Sequence, residues 1–510
     1  MVGNDDSTHG SSPRGERPRW QRLALVFCAV AVVYGAVAGP RLLEPSPHFH
    51  FVDLAHSWMS GRLDTDTPRR VRRGDPLPGD PAGFQEAVDR ALARSDGGPG
   101  GWNDWASHHR LRLKGRADAP ESGEEVAGVW PWKDTRGPRR TVFHTLDGKR
   151  MRIDRALDVA RTCGPDGRSP CDERVYHVSF PPFPAVVVAP LAAIQGYRVN
   201  DVLLTVLLGG LNAVLLLLFL QQLVARGLIR RTNQEILWLV ALCAFGSVVF
   251  FSSVRGEVWF TALVLGFSLH LGYAMAALDA RRPLLAGALL AAGFATRTPL
   301  LFASLFFFVQ VMWPASGGRL SWRDRVRKIA LFAIPCVLVG GGLLLLNWLR
   351  FDAPTEFGHS YLADGTRHSI REHGLFHWRF LGRNLQAMWT NLPAFSDGAS
   401  WVQINRHGLG MLVTSPVLVW MFTRLPSSRL GWSALATMLC VLVPAAFYQN
   451  TGWEQFGYRF SLDWMPWMIC LLALAPRPFG WAWKSAVVLG VAVNLFGAIT
   501  FGRFGQFYVG

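Results

Sequence analysis

The sequence predicts an all-α polytopic membrane protein: a bundle of about eleven transmembrane helices with a large extracytoplasmic first loop containing juxtamembrane helices. Three observations carry this. Of 510 residues, 50% are hydrophobic and only 17% charged, whereas soluble chains carry about 25% charged residues. The apolar residues come in long runs, among them 202–223 and 329–345, and short arginine clusters separate those runs as in cytoplasmic loops facing anionic lipid. A soluble enzyme is excluded. So is intrinsic disorder, because 21 Trp and 33 Phe are too many for a chain that stays open. The net charge of +16 comes without a basic stripe interleaved with aromatics, so no nucleic-acid partner is expected.

Residues 1–21 form a cytoplasmic tail and 22–38 a first helix behind Arg14, Arg17, Arg19 and Arg22. Gly39-Pro40-Arg41 is a poor cleavage site, so this helix is read as an uncleaved span. An extracytoplasmic loop follows over 39–201. Helices two to seven occupy 202–348, at about 202–224, 236–253, 258–278, 283–296, 299–314 and 329–348. A second outer loop covers 349–407. Helices eight to eleven lie in 408–510, at about 408–422, 431–448, 462–476 and 485–501, with the C-terminus outside. This count puts Arg226/Arg230/Arg231, Arg281/Arg282, Arg319–Lys328, Arg424/Arg429 and Arg477/Lys484 all on the cytoplasmic side. The run Phe180–Gln195 is short and holds four prolines, so it is read as a re-entrant or interfacial helix rather than a span.

Within the loops, Asp80-Pro81 opens a helix with Phe84, Val88 and Leu92 on one face. Residues 67–79 and 96–101 read as linkers. Residues 375–391, with Phe376, Phe380 and Trp389 among Arg379 and Arg383, read as an interfacial helix. Cys163 and Cys171 flank a turn-rich decapeptide and are expected to pair if that loop is outside. The other five cysteines lie in apolar runs, as small core residues.

Residues able to do chemistry cluster in the outer segments, where twelve of the 14 His fall. A helix from about Phe49 puts His50 and Asp53 one turn apart on the face of Ser57. Asp53 then sits at the membrane boundary as a candidate general base, the alternative being a juxtamembrane helix with a wet polar face. Arg255 and Arg297 stand at outer span ends, suited to a phosphate group; for Arg255 the alternative is a structural ion pair with Glu257. Asn347–Tyr361 and Tyr448–Asp463 mix aromatics with Glu356, His359, Glu454, Tyr458, Arg459 and Asp463, the combination used to stack on and hydrogen-bond a sugar. Interfacial aromatics also anchor membrane proteins, which explains the rings but not the charges.

No Asp, Glu, Lys or Arg lies near the middle of a span, where each would cost about 2.5–3.5 kcal/mol. Ion-coupled transport is therefore disfavoured. His270 and Asn212 are the notable polar groups there, and interhelical hydrogen bonds are their simplest role.

The order of a basic N-terminus, one span, a juxtamembrane helix in a large outer loop, Phe180-Pro-Pro-Phe-Pro and many spans with outer arginines resembles the bacterial GT-C fold membrane glycosyltransferases, which include protein mannosyltransferase and aminoarabinose transferase relatives. The local likeness lies in three segments. They are Asp53-Leu-Ala-His-Ser-Trp-Met-Ser-Gly-Arg-Leu, Arg350-Phe-Asp-Ala-Pro-Thr-Glu-Phe-Gly-His and Phe456-Gly-Tyr-Arg-Phe-Ser-Leu-Asp-Trp-Met-Pro466. They resemble a poorly characterised branch of that superfamily.

The resemblance implies transfer of a sugar from a polyprenyl-phosphate donor to an envelope lipid, glycan or protein acceptor, outside the bacterial inner membrane. It implies Asp53 as base and Arg255, Arg297 and Arg459 as holders of the lipid phosphate. In some members the acidic residue also helps hold a divalent cation; no other cofactor is implied. Many relatives carry an acidic pair where the first span ends. Here that place holds Pro47 and His48, which leaves His48 and His50 as alternative bases. Two other readings stay open: a lipid or glycolipid transporter, and a non-catalytic envelope-assembly subunit that uses the first loop for docking.

Overall fold

The computed structural model describes residues 19–65, 105–114, 123–130, 142–153, 158–160, 162–163, 169–362, 372–395, 400–423, 426–476 and 478–509. The expected helix around Phe84, the linkers at 67–79 and 96–101, and Arg14, Arg17, Arg424 and Arg477 lie outside them.

Long apolar runs wind into helices because a helix satisfies its own backbone N–H and C=O groups without water. We number them α1 (Arg19–Ala38), α2 (His50–Met59), α3 (Phe183–Gln195), α4 (Asp201–Ala225), α5 (Asn233–Phe245), α6 (Glu257–Ala277), α7 (Pro283–Phe294), α8 (Ser304–Met312), α9 (Trp322–Phe351), α10 (Arg429–Phe447), α11 (Met465–Leu474) and α12 (Trp481–Thr500). Their starts are written locally. The side chains of Asn200, Ser321 and Ser428 accept first-turn N–H groups of α4, α9 and α10, and Thr232 with Glu235 closes a capping box on α5.

Among the described residues, six helical stretches are long and apolar enough to cross a membrane: Trp20–Leu43, Asp201–Ala225, Glu257–Ala280, Trp322–Phe351, Arg429–Phe447 and Trp481–Thr500. Four further apolar helices are shorter: Asn233–Phe245, Pro283–Phe294, Thr298–Met312 and Met465–Leu474. Two of the expected spans are broken. The run 236–253 stops at Phe245 and resumes as Val249–Ser253, because the Gly246 carbonyl accepts from Ser415 Oγ at 2.8 Å instead of continuing the helix. The run 408–422 is Met411–Thr414 followed by 3-10 turns over Pro416–Thr423, the proline lacking the N–H that would join them.

Helix α4 packs between α1 and α6, and α6 in turn between α4 and α7. Polar pairs tie α4 to α6: Thr205 with Thr261 at 2.7 Å, and Asn212 Nδ2 to the Val264 carbonyl at 3.0 Å with Ser268 Oγ donating back at 2.6 Å. Asn212 is thus the interhelical hydrogen-bonder expected. His270 is buried against Trp467 and Tyr273, facing the backbone of Asp463 in the turn before α11.

One end of the bundle gathers the basic loops. Asp279 accepts from Arg226 at 2.8 Å and from the Ser316 hydroxyl at 2.7 Å, Lys328 reaches the Ala280 carbonyl at 2.7 Å, and Arg231 the Ala473 carbonyl at 2.9 Å.

The other end corrects the all-α expectation. The first loop builds a five-stranded antiparallel sheet from β1 (Trp105–Arg112), β2 (Glu125–Val129), β3 (Val142–Thr145), β4 (Arg150–Arg152) and β5 (Asp172–Val178), in the order β4-β3-β2-β1-β5. Trp105 pairs with Val178 and Leu111 with Asp172. The strands are short and rich in His and Arg, so their apolar content alone did not set them apart from loop. Leu111, Val126, Trp130, Phe143, Ile153, Val159 and Cys171 form the sheet's own core.

Helix α3 is 13 residues long with Pro190 inside, and it is not among the six helices long and apolar enough to cross a membrane. It lays Ala185, Val188 and Ala192 on α2. The expected interfacial helix at 375–391 is a succession of 3-10, α and π turns over Trp378–Thr390.

Candidate functional site

Helix α2 forms where the sequence places it, but its polar face is not wet. His50, Asp53 and Ser57 are all buried, at 3%, 4% and 2% exposure. The apolar neighbours Phe51, Val52, Leu54 and Ala55 pack on α3 and on Trp105 and Val178 of the sheet, so α2 is enclosed between two layers. The His50 ring stacks on Trp105 at 4.6 Å and meets Phe180 edge-on at 5.9 Å. His48 meets Trp259 edge-on at 4.6 Å.

Trp259 lies in the first turn of α6, and so does Phe260, which leads to the arginines. Arg255 lies 5.7 Å from the Phe260 ring centre and Arg459 5.4 Å from it. Arg459 and Arg297 share the Phe460 ring, at 5.5 and 5.1 Å. Three cations from three loops thus form one row, Arg255–Phe260–Arg459–Phe460–Arg297. Arg255 donates to Glu257 Oε1 at 2.5 Å and to the Phe501 carbonyl at 3.0 Å, so the ion-pair alternative holds for it. Arg297 forms a bidentate pair with Asp463. Arg459, 6% exposed, donates to the Glu454 carbonyl at 3.1 Å.

The turn that places Arg255 is strained. Gly256 and Glu257 both have positive φ, +64° and +67°. A side chain at Gly256 would stand 2.8 Å from the Val202 Cα, and the left-handed Glu257 is the strained member. Its N–H donates to Asp201 Oδ2 at 2.7 Å, and Asp201 also accepts the Ser46 N–H at 2.7 Å and hydroxyl at 2.6 Å. Asp201 therefore joins the histidine segment to the arginine row. Sequence reasoning missed it, although an acid opening an apolar run directly after Asn200 was the available signal.

The remaining candidates divide. Tyr458 is fully buried beside Asp463, Arg297 and Arg459, and its hydroxyl has no hydrogen-bond partner. Burial pushes that hydroxyl's pKa up, Asp463 adds to the rise, and the two arginines oppose it. His359 lies in the loop whose Gly358 packs on Ala106 of the sheet; burial lowers its pKa and Glu356 partly offsets this. Glu356 accepts the Ser360 N–H at 3.3 Å. Glu454, at φ +59°, leaves its side chain 66% exposed beside Arg406, away from the row. Cys171 is disulfide-bonded; the side chain of Cys163, its expected partner, lies outside the described residues. Among the described residues, no group of three or more His, Cys, Asp or Glu is placed to hold a metal ion.

No protein-family model, no curated protein and no solved structure matches this chain.

Proposed function

We propose that the chain is an integral membrane glycosyltransferase that takes a sugar from a polyprenyl-phosphate donor on the extracytoplasmic face. The observation that supports this is the convergence of Arg255, Arg297 and Arg459 along Phe260 and Phe460, with the His48 and His50 rings on Trp259, the residue next to Phe260 in the first turn of α6. In this reading the six long helices, the four shorter ones and the broken stretch 411–423 make eleven spans of a GT-C-like bundle. The basic end is cytoplasmic, with the N-terminus, and the sheet end is outside.

A base on α2, Asp53 or His50, or the preceding His48, removes the proton of an acceptor hydroxyl. The new bond forms at the anomeric carbon as the bond to the donor phosphate breaks with inversion. The arginine row stabilises the charge on the departing polyprenyl phosphate. Tyr458 supplies a hydroxyl with its hydrogen bonds unspent, while Arg255 and Arg297 stay tied to Glu257 and Asp463.

The test is donor consumption by the purified protein in lipid, given labelled polyprenyl-phosphate sugars and an envelope-lipid fraction. Consumption abolished by both Asp53→Asn and Arg459→Gln, in variants that unfold at the wild-type temperature, is the expected result. If no donor binds at all, the reading falls to a non-catalytic assembly subunit. That reading is favoured by the sheet and by the carboxylates that already neutralise Arg255 and Arg297.

A further inference from the structure

The sheet has a second buried polar cluster, on the face turned away from α2. Ala106 pairs with His177 and His108 with Val175, so His108 and His177 are diagonal neighbours on one face. Their rings lie 5.4 Å apart and nearly parallel, at 2% and 3% exposure. The end of α9 covers this face. Arg350 donates to the Val178 carbonyl at 3.2 Å, and the Phe351 ring meets His177 at 5.1 Å.

Arg350 is 7% exposed, yet its hydrogen bonds go only to that carbonyl and to Asn347 Oδ1 at 2.9 Å. Among the described residues no carboxylate pairs with it. A buried guanidinium without a counter-charge is costly, and arginines are almost never this buried unless paired. Three polar atoms here are also buried without a partner: Arg350 Nε, His177 Nε2 and His108 Nδ1. A single acceptor with several oxygens is the kind of group that could satisfy such a set.

We propose that this buried cluster between the sheet and α9 binds a small oxyanion of the phosphate class, held by Arg350, His177 and His108. The surroundings point the same way. Burial first, then Arg110 and His109, lower the pKa of His108 to about 4. Burial, then His108, Arg350 and Arg110, lower that of His177 to about 3, against a weaker opposing bond to the Leu63 carbonyl. Of the nearby acids, Asp172 is engaged with His109 Nδ1 at 2.5 Å, Glu173 stands opposite Arg110 in the strand register, and Asp352 and Glu356 act on Tyr361, on the far side of the Phe351 ring. The charges that act on the two imidazoles, those of Arg110 and Arg350, thus make a positive local field. An anion there relieves it, satisfies Arg350, and favours protonated imidazoles whose N–H groups then point at the ligand. Binding takes up protons, so affinity strengthens as pH falls. This site is separate from the arginine row and holds whether or not the chain is a transferase.

The experiment is thermal unfolding of the full-length protein in lipid nanodiscs, titrated with inorganic phosphate, sulfate or a short-chain prenyl phosphate against chloride at matched ionic strength. Phosphate and sulfate are expected to raise the midpoint saturably. Sulfate, whose charge is constant between pH 8 and 5, should act at lower concentration at pH 5. Arg350→Gln should raise the half-saturating concentration about tenfold or more, the loss of a charge-assisted bond, and His177→Gln should remove the pH dependence if Arg350→Gln does not fold. A response to prenyl phosphate alone, lost in Arg350→Gln, would identify a lipid headgroup as the source of the oxyanion. The proposal is overturned if no probe exceeds chloride. It is equally overturned if the response survives both variants, or if Arg459→Gln removes it and Arg350→Gln does not.

Discussion

Arg297 crosses α6 at Gly266 to reach Asp463, donating from Nε to Oδ1 at 3.1 Å and from Nη2 to Oδ2 at 2.7 Å. The crossing depends on a missing side chain, since a Cβ at Gly266 would stand 2.9 Å from Arg297 Cγ. The pair is enclosed, with Asp463 3% and Arg297 16% exposed. It holds α6, the turn after α7 and the turn before α11 together beneath the arginine row.

Breaking this pair from one side should be severe. Asp463→Asn leaves an enclosed guanidinium without its counter-charge and is expected to cost about 3–5 kcal/mol, whereas Arg297→Met with Asp463→Leu should recover most of that. Gly266→Ala should cost about 1–3 kcal/mol by displacing Arg297. Unfolding in detergent with the double-mutant comparison checks all three; a double-variant loss equal to the sum of the two single losses would mean that Arg297 and Asp463 do not act as a pair.

Tyr458→Phe separates stability from function. Its hydroxyl is buried with no hydrogen-bond partner, so removing it should leave stability unchanged or raise it by up to about 1 kcal/mol. Donor turnover should fall, because the atom removed is the one with free bonding capacity beside Arg297 and Arg459. A variant that is destabilised by 2 kcal/mol or more (on the scale of a satisfied buried polar group) would contradict this.

Acid should weaken the docking of the sheet. His108 and His177 have folded pKa values of about 4 and about 3, below their ordinary 6.5. Above pH 6.5 neither state binds their protons. As pH falls below 6.5 the unfolded chain takes up protons the fold refuses, so stability declines by at most about 1.4 kcal/mol per pH unit for each histidine. The decline ends below the folded values. Chemical unfolding between pH 7 and 5 should show this slope in the wild type, with saturating sulfate flattening it, and a smaller slope in His108→Gln/His177→Gln.

The two ends of the bundle should lie on opposite sides of the membrane. Asp147→Cys on the sheet and Arg319→Cys in the basic loops are both exposed positions. The five free cysteines, Cys28, Cys243, Cys336, Cys440 and Cys470, are all inside helices. In intact cells an impermeant thiol reagent is expected to label Asp147→Cys alone, and Arg319→Cys only after lysis. The reverse pattern would invert the proposed orientation.

By itself the sequence determined what depends on near neighbours. The membrane character, the starts of α4, α5 and α10, the short proline-bearing α3, the polar face of α2 and the sharing of one end by the basic loops all follow from hydropathy, helical period, capping residues and charge placement, whereas α9 begins at Trp322, seven residues before its apolar run.

Tertiary structure decided the rest. Arg297 and Asp463 are 166 residues apart, and the strands joining Ala106 to His177 are separated by dozens of residues; such pairings register only when the chain packs. Whether α2 is wet or enclosed depended on α3 and the sheet closing over it. The same packing left Arg350, His108 and His177 together without an acid, because each is unremarkable in its own strand or helix and only their shared burial makes a site.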